Sequence, residues 1–153
     1  MLKPAINENI ILKAGDKLLF SHDKIHEAIY SLIDPAEKII YHNSIWRSHF
    51  SGIDDREIDD IIYEIVHHLN ISAPVLDEQG KQQLIKYNLL AGIKSKKSTA
   101  YESAYNYLLE GIKRLDANAW AENYNTALML YTECGEVAYI LGHNDLAEKF
   151  FKE

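Results

Sequence analysis

Histidines, carboxylates and one thiol are the side chains of this chain with chemistry to offer. His22 and His26 stand one helical turn apart, a spacing that can chelate a metal ion. The residues between them, Asp23, Lys24 and Ile25, do not make the His-Glu-x-x-His arrangement of zinc hydrolases. His67 and His68 add ligands only if their helix packs nearby. The plainer reading, and the one favoured, is that His22 and Asp23 make local hydrogen bonds at a helix start, with no metal and no cofactor. A small metal-dependent helical enzyme built on His22 and His26 is kept as an alternative.

The acidic run Asp54, Asp55, Glu57, Asp59 and Asp60 has the charge for a hard cation but not the loop from which such ligands converge. Alternating with apolar residues at a helix start, it reads as a solvated face. Cys134, the single cysteine, excludes an internal disulfide and fits a reducing compartment. Next to Gly135 it reads as a small buried apolar group, and no base is placed to make it a nucleophile. Gly92-Ile93-Lys94-Ser95 lacks the upstream glycine of a phosphate-binding loop. No catalytic residue is assigned.

A formal net charge of -7 argues against a nucleic-acid surface, which needs a basic patch to displace phosphate counterions. The one basic cluster, Lys94, Lys96 and Lys97, is short. No apolar run approaches the roughly 18 residues of a membrane helix, and no leader pattern opens the chain, so no membrane partner and a cytoplasmic protein are expected. At 153 residues the chain can bury about 70% of its unfolded surface without a metal or disulfide.

The elements that must position these residues follow from periodicity. Two short apolar runs, Ile10 to Leu12 and Leu18 to Phe20, flank Ala-Gly-Asp and predict a β-hairpin. Ser21 is the expected N-cap of a helix whose Ile25, Ala28, Ile29, Leu32 and Ile33 form a buried stripe. Asp34-Pro35 ends that helix and starts another, carrying Ile39, Ile40, Trp46 and Phe50, to about Ser51-Gly52. A third begins at Asp54 or Asp55, with the stripe Ile58, Ile61, Ile62, Ile65, Val66 and Leu69, and is broken over Asn70 to Pro74. The stretch Leu84 to Leu115 predicts two helices folded back on each other, with Ala91 and Gly92 meeting Ala100, Ala104 and Gly111, because interaxial distance is set by the side chains at the contact. One long helix is expected from Ala119 to Gly142, then a last one carrying Leu146, Ala147, Phe150 and Phe151. That makes about seven helices. Because the last still ends on apolar residues, the chain is expected to be a segment of a longer protein.

An internal repeat emerges on aligning Gly92 with Gly135, a period of 135 − 92 = 43 residues. Ala104 then falls on Ala147 and Leu108 on Phe151, since glycine-to-alanine is 12 residues in both copies (104 − 92 and 147 − 135). The spacing is like that of the tetratricopeptide unit, which has about 34 residues and a Leu-Gly on its first helix. Here Ala91-Gly92 and Cys134-Gly135 stand instead, and Ser95 and Ala138 replace the signature tyrosine. The fold class expected is mostly α, with tetratricopeptide-like antiparallel hairpins (an α-α superhelix) at about 84–116 and 119–153, after a short N-terminal β-hairpin. The alternative is that any antiparallel helix pair wants small residues where it crosses. Lys94, Lys97, Tyr101 and Tyr105 mark the edges of an expected partner groove.

The run Phe20-Ser21-His22-Asp23-Lys24-Ile25-His26-Glu27-Ala28-Ile29-Tyr30-Ser31-Leu32-Ile33 resembles a segment of large bacterial signalling proteins that join a STAND-type, AAA-like ATPase module to serine/threonine kinase or sensor histidine kinase domains. Phe20, His22, Asp23, Ala28 and Tyr30 carry the motif. His67-His68-Leu69-Asn70, Asn88 to Ser95, Ala100 to Ala104, Tyr107-Leu108 and Trp120 extend the likeness over nearly the whole chain from about Ile10. The resemblance implies that residues 1–33 are the remnant of a winged helix, with 34–153 a helical-repeat domain, both past an upstream nucleotide-binding core. It implies a non-catalytic regulatory segment whose partner is protein: other domains of the parent chain, or a signalling partner. A DNA-binding winged-helix regulator is the other alternative, opposed by the charge.

Overall fold

The computed structural model describes residues 3–15, 17–50 and 52–153, with the side chains of residues 3, 17, 55 and 56 left out. Helices take up 76% of the described residues, which also hold one two-stranded antiparallel sheet. The chain divides into two compact units, Met1–Lys38 and Ile39–Glu153.

The first unit opens with a one-turn helix, α1 (Lys3–Asn7), where no helix was expected. The expected hairpin follows as β1 (Ile11–Ala14) and β2 (Lys17–Phe20), in the register Ile11 to Phe20 through Ala14 to Lys17. Gly15, at φ +63°, supplies the left-handed residue that a two-residue hairpin turn needs; Asp16 lies outside the described residues. Helix α2 spans Asp23–Ser31. Its cap is His22, not Ser21, and makes no side-chain cap bond. The Ser21 amide donates instead to the Ile10 carbonyl at 3.0 Å, holding the chain in the hairpin for one more residue. The expected buried stripe is also corrected. Ala28 and Ile29 are exposed, Leu32 is 85% exposed, and only Ile25, Tyr30 and Ile33 are half-buried. Amphipathic spacing sorts residues onto faces, but a face is buried only where another element covers it.

Helix α3 (Pro35–Ile45) starts as its sequence demands, with proline at the first position and Asp34 Oδ1 accepting from the Ala36 amide at 2.8 Å. It continues into a π-helical turn, Trp46–Phe50. Helix α4 (Asp55–Ser72) runs three residues beyond the expected break at Asn70, because Pro74 constrains only the residue before it. A short 3-10 turn, Ala73–Val75, ends it. Helix α5 (Glu78–Lys97) is capped by Asp77, whose carboxylate accepts from Gly80 N. Helix α6 is Tyr101–Ile112. The single helix expected from Ala119 to Gly142 is two, α7 (Ala119–Glu122) and α8 (Tyr124–Ile140), because Asn123 leaves helical geometry at φ −133°, ψ 40°. Helix α9 (Asn144–Lys152) closes the chain, so the described residues hold nine α-helices where about seven were expected.

Two buried clusters organise the second unit. One joins Trp46, Phe50, the stripe of α4 and Leu84, Tyr87 and Ala91 of α5. The other joins Ile85, Leu89, Ala104, Leu108, Leu130, Cys134 and Val137 of α5, α6 and α8. A part-buried amide pair locks α4 to α5: Asn70 Nδ2 donates to Asn88 Oδ1 at 3.1 Å, Asn88 Nδ2 donates to Asn70 Oδ1 at 2.7 Å, and Asn88 Nδ2 also reaches Leu84 O at 2.9 Å. Asn88 is fully buried, so these bonds offset its desolvation.

Candidate functional site

The hairpins α5–α6 and α8–α9 are built to one register. Helix α5 ends at Lys97 and α8 at Ile140; α6 begins at Tyr101 and α9 at Asn144, each pair 43 residues apart. The turns match as well. Thr99 and Gly142 both take positive φ, +61° and +81°, and the following amides reach back five residues, Ala100 N to Ser95 O at 2.9 Å and His143 N to Ala138 O at 2.8 Å. At the crossings, a Cβ on Gly92 would lie 2.5 Å from Leu108 Cγ, and one on Gly135 2.7 Å from Phe151 Cε1. Each glycine therefore lets the residue aligned by the repeat sit on the opposing backbone. Ala91 and Ala104 are fully buried and Ala147 is 3% exposed. A third close approach, Gly111 against Leu130, seats α6 on α8.

The residues named for a partner groove are not brought together as one. Lys94 and Lys97 line a cleft of about 400 Å³ floored by Ile58, Ile62, Leu90 and Ile93. Lys97 also borders a second hollow of about 250 Å³, with Tyr101, Lys96, Glu133 and Ile140. Tyr105 lies elsewhere, its ring against His143 at 5.9 Å and Phe150 at 6.4 Å. Nor are Lys94 and Lys96 of the basic cluster free positive charge. Lys94 lies 3.4 Å from the Asp59 carboxylate, donates to its carbonyl, and faces the Tyr63 ring. Lys96 is held by Glu133 at 2.8 Å and by Glu136. Two of the three lysines, Lys94 and Lys96, thus meet three carboxylates.

The motif residues fall at the hairpin–α2 junction of the first unit. His22 is exposed at the cap, and Asp23 opens α2, where the helix dipole favours its charge. Phe20 meets not His22 but His26, ring centroids 5.2 Å apart, and His26 is followed by Tyr30 at 6.1 Å. Lys38 Nζ lies 4.4 Å from the Tyr30 ring centre, and Ala28 is exposed.

The remaining chemical candidates take ordinary places. Glu57, Asp59 and Asp60 stand on the exposed face of α4. Cys134 is fully buried, and burial pushes its thiol up to about 12, leaving it a packed apolar group at neutral pH. No described helix is long and apolar enough to cross a membrane. Among the described residues, no three His, Cys, Asp or Glu side chains are grouped to hold a metal ion.

Sequence reasoning missed a histidine cluster. His42 on α3 is 6% exposed, its Nδ1 2.9 Å from Nδ1 of His68 on α4. The His67 ring lies 5.2 Å from that of His42 and 5.5 Å from that of His68. Burial and the neighbouring histidines lower His42 from 6.5 to about 4 and lower His68 too. The signal was present: His42 and Trp46 are four residues apart on one helix face. No family model, curated protein or solved structure matches this chain.

Proposed function

We propose that this chain is a non-catalytic regulatory and protein-interaction segment of a bacterial signal-transduction ATPase or kinase, coupling a nucleotide-binding module to partner or output domains. One observation carries the interaction reading: two successive helix hairpins share a 43-residue register down to their turns and glycine crossings. A unit repeated in register is the signature of helical-repeat scaffolds, which stack to build extended binding surfaces. This supports assigning α5–α6 and α8–α9 to a tetratricopeptide-like α-α superhelix. The signalling context rests on the resemblance of Phe20 to Ile33 alone.

The test uses the purified chain and the nucleotide-binding module encoded beside it. Saturable binding of that module, with no ATP hydrolysis by the chain itself, is expected. Hydrolysis by the chain alone, or neighbouring coding sequence without a phosphate-binding loop, overturns the proposal.

A further inference from the structure

The chain's histidines are unevenly spread: of seven, four fall between residues 42 and 68. Helix α3 brings one of them, His42, against α4, and His42 is the one buried residue among those described on α3. Its ring lies 4.8 Å from that of His68, which also meets Phe50 at 5.7 Å. A direct Nδ1 to Nδ1 contact needs one nitrogen protonated and the other bare. Two imidazolium rings cannot make it, since both nitrogens would then be donors. Beside His42, Asn43 Oδ1 is buried with no hydrogen-bond partner, so α3 is held at a cost.

We propose that the His42–His68 contact is an acid-released latch that holds α3 on α4 at neutral pH and lets it go as the pair protonates.

The surroundings set the direction. The ionisable groups acting on the pair are His67, from α4, and His49, from the π-helical turn; their coulombic effect disfavours the protonated pair. Arg47, on the same turn, is drawn to Asp77 at the start of α5, 2.9 Å away. Trp46 and Tyr87 of α5, ring centroids 6.0 Å apart, present aromatic surface. Glu64, one turn before His68, is exposed. A histidine in the released state titrates near 6.5, whereas His42 in the latch titrates near 4. Between those values the released state binds more protons, so acid favours release; above 6.5 the effect disappears.

Hydrogen exchange of the full chain between pH 7.5 and 4.5, corrected for intrinsic rates, reads the latch. The opening constant of α3 amides is expected to rise about tenfold per pH unit below 6.5, while α5 and α8 amides hold their protection. His42→Gln and His68→Gln should flatten that slope, and His143→Gln should leave it unchanged. His67→Gln, exposed and outside the bonded pair, should lower the slope and serves if His42→Gln does not fold. A pH-independent α3 overturns the latch, as does a slope that survives in the variants, or loss of α3 protection only together with α5 and α8.

Discussion

The hairpins α5–α6 and α8–α9 use one crossing device and bury it to different depths. Leu108 sits on Gly92 and is fully buried; Phe151 sits on Gly135 and is 57% exposed. The local geometry is equivalent, so the difference comes from the next layer. Helix α6 is covered by α8 through Gly111 and Leu130, whereas among the described residues none covers the outer side of Phe151. The anchoring of the first helix differs too. Asn88 of α5 is bonded to Asn70 of α4, while Tyr131, its counterpart 43 residues on, is half-buried and stacks on Trp120 at 5.4 Å. A glycine crossing therefore specifies contacts within its hairpin, and the neighbouring elements decide what those contacts are worth.

The largest expected contrast is truncation at the crossing. Leu108→Ala should cost about 2–5 kcal/mol, as a buried leucine leaving a cavity does, and Phe151→Ala less than about 1 kcal/mol. Denaturant unfolding of both variants checks this; equal losses would break the comparison. Next comes Asn88→Ala, which strands the Asn70 amide and should cost about 1–3 kcal/mol. Hydrogen exchange should place that loss at the α4–α5 contact and spare α9. Third, Gly92→Ala drives a Cβ into Leu108, which has no room to move, and should cost about 1–2 kcal/mol after a small gain in helix propensity. Gly135→Ala pushes on an exposed ring that can swing aside, so it should be neutral or stabilising by up to about 1 kcal/mol. Thermal melts of the two side by side decide whether burial or the glycine itself controls the crossing. The smallest effect is expected from Lys96→Ala. Its pairs with Glu133 and Glu136 join α5 to α8 but are partly solvated, so the loss should stay below about 1 kcal/mol and shrink further in high salt.

Much of the fold was legible because it rests on short-range signals. Asp34-Pro35 and the Ile58 to Leu69 stripe placed their helices, and Gly15 with its flanking apolar runs placed the hairpin. The 12-residue glycine-to-alanine spacing marks both crossings, whereas the shared register of the turns at Thr99 and Gly142 is visible only in the backbone. The misreadings have one cause. The apolar spacing of Ile25 to Ile33 defines a face but not what covers it, and the helical period around Asn123 continues through a residue whose backbone leaves the helix. The same holds at the expected partner groove: Lys94, Lys97, Tyr101 and Tyr105 are close in sequence, but helix phase turns Tyr105 toward His143 and Phe150.

What the sequence determined by itself is the mostly helical order of elements, the hairpin, the Asp34-Pro35 helix start and the 12-residue glycine-to-alanine spacing, since capping, proline geometry and periodicity act over a few residues. What only the tertiary structure decided is which faces are covered and which charges and rings meet. Asn70 reaching Asn88, Lys96 reaching Glu133 and His42 reaching His68 join residues 18 to 37 positions apart. No local rule links such residues, because the energy of each contact exists only once two helices have packed.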